Sequence, residues 1–183
     1  MTVSAKTYER IVLEDSDHQW ELHCGRLVEK PPMTWEHNIT ARNLAAELIA
    51  QLDRREYDVS SNVGRVSRPT ESFFIPDVFV IPREMQRRLM RSRRMESYPE
   101  PLPLVVEVWS ISTGEYDVDS KLPEYQQRGD LEIWRIHPYE RTLTAWRRQP
   151  DGSYTETVFT EGIVEPIALP NVRIDLASLL DWE

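Results

Sequence analysis

Leu102-Pro103-Leu104-Val105-Val106-Glu107-Val108-Trp109 is a near-continuous apolar run with a single acid inside it. Such a run is the pattern of a strand buried on both faces of a sheet, where alternation disappears because neither face meets water. Glu107 is costly there unless paired or metal-bound, because a carboxylate taken out of water loses its hydration. Upstream, Phe73-Phe74-Ile75 and Val78-Phe79-Val80-Ile81 are two further apolar stretches around Pro76-Asp77, so a second acid opens a second strand. Downstream, residues 117–128 read as a helix ended by Gly129, with Pro123 inside it to shift or kink it. Asp117, Lys121 and Tyr125 recur at i, i+4 and share one face of that helix.

The rest of the chain supplies partners for these strands. A short helix is expected over residues 6–14, then a hairpin of 20–24 and 26–29 turning at Gly25. Thr34 offers an N-cap to a long helix reaching about residue 55, with Trp35, Ile39, Leu44, Leu48 and Leu52 as its apolar stripe. Residues 131–136, 142–147 and 154–160 read as strands, with Asp151-Gly152 as a hairpin turn, and 174–180 as a closing helix. The fold class is α/β, of mixed α+β character: one domain over residues 1–183, a central mixed sheet flanked by helices, and β-hairpins toward both ends.

Composition removes several function classes. The 183 residues carry 22 Lys plus Arg against 31 Asp plus Glu, a net charge of −9. The six glycines form neither of the phosphate-cradling patterns that need them, and no nucleophile elbow or H-E-x-x-H zinc motif is present. One cysteine, Cys24, forbids an internal disulfide and a multi-cysteine zinc site. No apolar run approaches the roughly 20 residues of a membrane helix, and the polar first ten residues lack the centre of a secretory signal. A reduced, cytoplasmic protein is the expectation. Plentiful carboxylate points to acid–base or hard-metal chemistry: two acids on neighbouring strands can hold Mg²⁺, and a nearby lysine can stabilise charge on a phosphate under attack.

Four motifs then occur in order: Trp35-Glu36-His37, Ile75-Pro76-Asp77-Val78, Val106-Glu107-Val108-Trp109-Ser110, and Tyr116-Asp117-x-x-x-Lys121-x-x-x-Tyr125. Gly129, Glu132-Ile133-Trp134 and Pro138 follow. Together they resemble the bacterial Uma-type restriction endonuclease family, a domain of unknown function within the PD-(D/E)xK nuclease superfamily, over nearly the whole chain. The resemblance implies a restriction-endonuclease-like core and Mg²⁺- or Mn²⁺-dependent hydrolysis of phosphodiester bonds. It implies Asp77 and Glu107 as metal ligands, Lys121 as the catalytic lysine and Glu36 as an acidic helper beside the metal. In the common superfamily pattern the lysine lies two residues after the second acid; that place is Trp109 here, so the role passes to Lys121. Ile111 stands where the family usually has a proline after Ser110. The implied partner is nucleic acid, DNA ahead of RNA, and a homodimer would suit cleavage of both strands.

Each residue taken singly also fits a plainer role. Asp77 can cap a turn, Glu107 can pair with an arginine across the sheet, and Lys121 with Asp117 is by default a solvated helix pair. His37 suits a core or capping histidine as well as a site. The net charge opposes long-range attraction to nucleic acid. Residues 83–94, with six arginines and one acid, are the one concentrated positive stretch. Arg87, Arg88, Arg91 and Arg94 are its candidate phosphate contacts; a solvated helix face or a dimer contact fits them too. A non-catalytic nucleic-acid-binding or interaction module on the same fold is the competing reading, and a carboxylate-pair glycosidase a third.

Overall fold

The computed structural model describes residues 2–68, 72–90 and 94–182. In chain order the elements are α1 (Ala5–Glu14), β1 (Trp20–His23), β2 (Arg26–Glu29), α2 (Trp35–Gln51), β3 (Tyr57–Ser61), β4 (Val66–Arg68), β5 (Ser72–Phe74) and β6 (Val78–Pro82). They continue with α3 (Arg83–Leu89), β7 (Leu104–Val108), α4 (Gly114–Tyr116), a π-helical turn (Asp117–Lys121), α5 (Leu122–Arg128), β8 (Glu132–His137), β9 (Thr142–Arg148) and β10 (Tyr154–Phe159). Two-residue strands β11 (Ile163–Val164) and β12 (Ile174–Asp175) and a short α6 (Leu176–Leu179) close the chain.

Six strands form the central sheet in the order β10-β9-β8-β7-β6-β3. Its one parallel pair is β7 with β8, and the crossover between them carries α4, the π turn and α5. All five residues of β7 are buried, as its unbroken apolar run requires. Alternation sends Val78, Val80, Leu104, Val106 and Val108 to one face, where Ala41, Leu44 and Leu48 of α2 pack. Phe79, Ile81, Val105 and Ile133 face the other way, against Tyr125 of α5 and Met85 of α3.

The structure adds one feature and corrects one expectation. The expected hairpin β1–β2 forms, and it belongs to a second, four-stranded sheet in the order β2-β1-β5-β4. Pro76 is the physical reason: it has no N–H for a ladder, so the chain leaves the small sheet after Phe74 and enters the large one at Val78. The stripe on α2 holds at Leu44 and Leu48 but not at its start. Thr34 does cap the helix, its hydroxyl accepting from His37 N–H, but Trp35 is 80% exposed and the buried face runs through His37, Thr40, Ala41, Leu44, Ala45 and Leu48. At 3.6 residues per turn Trp35 sits about 200° from His37, nearly opposite. The helix stops at Gln51, and the closing helix starts only at Leu176.

The helix expected over residues 117–128 begins with the π turn, in which Leu122 N–H donates to Asp117 O. Pro123 follows directly; in a continuous α-helix its ring would press on the carbonyl four residues back, and the widened turn takes up that residue. Gly129 ends the helix in the left-handed region at φ 81°, as its position predicts.

Candidate active site

The break at Pro76 builds the site. Ile75 lies between the two sheets, so its backbone groups have no ladder partner. Its N–H donates instead to Glu21 Oε1 (2.8 Å), and its carbonyl accepts from Lys30 Nζ (2.9 Å). Both side chains come from the hairpin below and are buried. Lys30 Nζ continues to Asp77 Oδ1 (2.7 Å) and Asn62 Oδ1 (2.9 Å). The second Asp77 oxygen lies 2.9 Å from His37 Nε2 and accepts from Val108 N–H at 2.7 Å. Asp77 is therefore gripped by α2, the hairpin and the end of β7 together.

Glu107 points to the other face of β7 and meets the crossover. Lys121 Nζ lies 3.3 Å from both its oxygens, and Tyr125 donates its hydroxyl to Oε1. The same ammonium lies 3.1 Å from Glu21 Oε1 and 3.3 Å from Asp117 Oδ1. Asp117 Oδ2 accepts from Thr113 Oγ1, itself linked to Ser110 Oγ, whereas Asp117 Oδ1 is buried without a hydrogen bond. The plainer reading of Lys121 as a solvated residue is thus overturned. Its side chain is 3% exposed, because the π turn faces Asp117 and Lys121 inward. Ile111, where the family's proline would stand, is exposed and leaves that turn intact.

Acidic groups outnumber basic ones. Glu21, Asp77, Glu107 and Asp117 set four buried carboxyl groups against the ammonium groups of Lys30 and Lys121 and the imidazole of His37. Burial works to raise the Asp77 carboxyl, but Lys30, His37 and Lys121 outweigh it and hold it well below the usual range. Glu107 goes the other way: burial lifts it well above the ordinary carboxylate value, Lys121 opposes, and Asp117 and Asp77 reinforce the rise. Burial likewise raises Asp117 against Lys121. For Lys121, burial favours the neutral amine, yet Glu107, Glu21 and Asp117 together push it well above 10.5.

Other candidates lie elsewhere. Glu36, expected as the acidic helper, is held below its ordinary value by its own backbone and by the Tyr139 hydroxyl, which it accepts at 3.0 Å; the next residue, His37, is the one that meets Asp77. In the arginine stretch, Arg87 is exposed on α3, Arg88 pairs with Glu100 at 2.9 Å and Arg94 with Glu9 at 3.3 Å. Arg91 lies outside the described residues. Arg88 and Arg94 border a cavity of about 1030 Å³ between α1, α3 and residues 94–99 that none of the groups around Asp77 and Glu107 lines.

Sequence reasoning missed Glu21 and Lys30 and set His37 aside. Glu21 did carry a signal, an acid inside a short strand, the same feature that singles out Glu107. Lys30 carried none, since its partner is 47 residues away. Hard oxygen donors, an excess of acid and the unbonded Asp117 Oδ1 suit a divalent cation. Among the described residues, however, no three Asp, Glu, His or Cys groups already stand as a metal cage, since Lys121 sits between the carboxylates.

Residues 5–177 match the family model Uma2, described as "Putative restriction endonuclease". No curated protein matches the sequence. Among solved structures, a crystal structure described as a "putative nuclease belonging to DUF820" from Anabaena variabilis aligns with a TM-score of 0.77. The alignment covers 92% of this chain and 93% of that one at 16% identity, a likeness of fold. It supports the mixed α/β fold, a central mixed sheet flanked by helices, expected from the sequence.

Proposed function

The chain belongs to the Uma2 family, and on that premise we propose that it is a metal-dependent nuclease hydrolysing phosphodiester bonds, with DNA ahead of RNA as substrate and the cytoplasm as its setting. The observation that carries the reading is the buried acid excess, four carboxyl groups against two ammonium groups and one imidazole. A core that only needed stability would pair such charges or replace them with apolar side chains. Asp77 and Glu107 would hold Mg²⁺ or Mn²⁺. Bound there, the ion supplies Lewis-acid polarisation of the phosphate and activation of water.

The protein's own groups do the rest. Val108 N–H and His37 fix the Asp77 carboxylate, and the Tyr125 hydroxyl fixes Glu107. Lys121 Nζ, held beside Glu107, places a positive charge where a phosphate under attack gains negative charge. Glu36, turned toward Tyr139, has no part in this scheme. The competing reading, a non-catalytic module, draws on the net charge of −9 and on Lys121 already engaging three carboxylates.

The test is cleavage of single- and double-stranded DNA and RNA with Mg²⁺ or Mn²⁺, comparing wild type with folded Lys121→Ala. The rate should fall roughly a hundredfold or more. Lys121→Arg should rescue poorly, since a planar guanidinium cannot take the place of a compact ammonium. Undiminished activity in Lys121→Ala removes the lysine from the mechanism, and a wild type that cleaves no substrate favours the module.

A further inference from the structure

Glu107 has a neighbour that the scheme above does not use. In the parallel register of β7 with β8, Glu107 stands beside Arg135. Two residues further on, and so on the same face, Trp109 and His137 stack with ring centroids 4.2 Å apart and an interplanar angle of 21°. Tyr139 meets both rings edge-on and is 45% exposed. One face of the sheet end therefore carries, side by side, a candidate metal ligand, a guanidinium and an aromatic stack.

Arg135 is unusual among the cations here. It is half-buried, its Nε is buried without a hydrogen-bond partner, and it forms no ion pair among the described residues. An arginine across the sheet was a natural partner for Glu107, but Lys121 and Tyr125 take that carboxylate instead. Lys30 and Lys121 are committed to carboxylates, whereas Arg135 pairs with none among the described residues. With Glu107, Asp117 and Val118 it lines a recess of about 10 Å³, room for one water at most. A water there satisfies the buried Nε, and the Nη groups of Arg135, bound to no acceptor among the described residues, are left for an anion from outside.

We propose that this strip is a nucleotide subsite, in which Arg135 takes a backbone phosphate of the substrate and the Trp109–His137 stack carries the adjoining base. The inference rests on the nuclease reading and narrows its substrate to nucleic acid with an unpaired base. A guanidinium fork matches phosphate oxygens in pairs, which an ammonium cannot. Aromatic rings take a base only by its face, and that face is free in a single strand and covered in a duplex. Stacking is also indifferent to charge, which suits a protein of net charge −9 better than binding a whole duplex through its phosphates.

The experiment is fluorescence anisotropy with a short labelled oligothymidylate, and with a duplex of equal length, in chelator so that nothing is cut. Wild type should bind the single strand more tightly. Arg135→Ala should weaken binding about tenfold and reduce the salt slope by about 0.7, the loss of one phosphate contact on a single strand. Arg135→Lys should restore the slope but not the full affinity. Trp109→Leu should weaken binding by roughly tenfold and leave the slope unchanged, because it removes stacking and no charge. Arg135→Gln, compared by thermal melting, guards against a variant that merely unfolds. If wild type binds and Arg135→Ala or Arg135→Gln matches it in affinity and slope while folded, the subsite is wrong and the nuclease reading stands. Preference for the duplex overturns the unpaired base. A wild type that binds neither probe overturns the subsite, while the cleavage assay with Mg²⁺ or Mn²⁺ decides the nuclease reading separately.

Discussion

Two ionic clusters buried among the described residues are built differently. Arg128 at the end of α5 uses every N–H it has. Nε and one Nη2 hydrogen go to Asp130 at 3.0 and 3.2 Å, the other Nη2 hydrogen to Glu100 O at 2.8 Å, and Nη1 to the carbonyls of Ser67 and Tyr98. Asp130 also accepts from Leu102 N–H at 2.8 Å. One cation meets one anion, no donor is spare, and the pair ties β4 and residues 98–102 to α5. Around Lys121 the count is uneven, and Asp117 Oδ1 has no hydrogen bond. Burial lifts the carboxyl of Asp130 as well as that of Glu107, so the direction of a pKa does not separate the two clusters. The balance of charges and donors does. A saturated cluster holds the fold; an unsaturated one is held by the fold for something else.

The largest expected effect strikes the saturated cluster. Arg128→Ala leaves Asp130 charged or newly protonated in the core and takes a donor from three carbonyls, of which Tyr98 O keeps the Ser67 N–H, so it should cost about 3 to 5 kcal/mol. A denaturant midpoint that fails to fall by a corresponding amount would break the comparison at its structural end. Whatever fraction of that variant stays folded should retain the centre around Lys121, which shares no side chain with Arg128.

How much of this was legible in the sequence follows the same division. Glu107 was conspicuous because an acid in an apolar strand is costly, and Asp77 because it follows the proline that ends one strand and precedes another. Lys121 was found by its helical spacing, but its burial was not, since Glu21 and Glu107, which it meets, come from two separate strands. The second sheet was missed because short strands of like pattern do not say which sheet they join. Glu21 and Lys30 reach the site only once that sheet is placed under Pro76, so no local pattern shows them converging. On α2 the stripe was right at Leu44 and Leu48 and wrong at its start, where the aromatic Trp35 is exposed and the small or polar His37, Thr40, Ala41 and Ala45 are buried instead.

The next effect is a pH dependence of stability in metal-free protein. Glu107 is raised in the folded state above an unfolded value near 4.5, so between those two values the folded chain binds more protons than the unfolded one. Stability should therefore fall as pH rises through that window, by up to about 1.4 kcal/mol for each pH unit per proton. Asp77 acts oppositely, its contribution being present above about 3.8 and lost as pH falls toward its depressed folded value. Glu107→Gln should flatten the decline above pH 4.5 and leave the acid limb, which urea melts across pH would show. A decline unchanged in Glu107→Gln would mean that Asp117, raised in the same direction, carries it alone.

The central claim is that the excess of buried acid is a place for a divalent cation. Its most direct test is thermal melting with and without Mg²⁺ or Mn²⁺ near neutral pH, on wild type, Asp77→Asn and Glu107→Gln. A ligand that binds only the folded state adds about 1.4 kcal/mol at ten times its Kd, so the wild-type Tm should rise with metal concentration. Both variants should lose most of that rise. An equal rise in all three proteins, or none in the wild type, would contradict the claim.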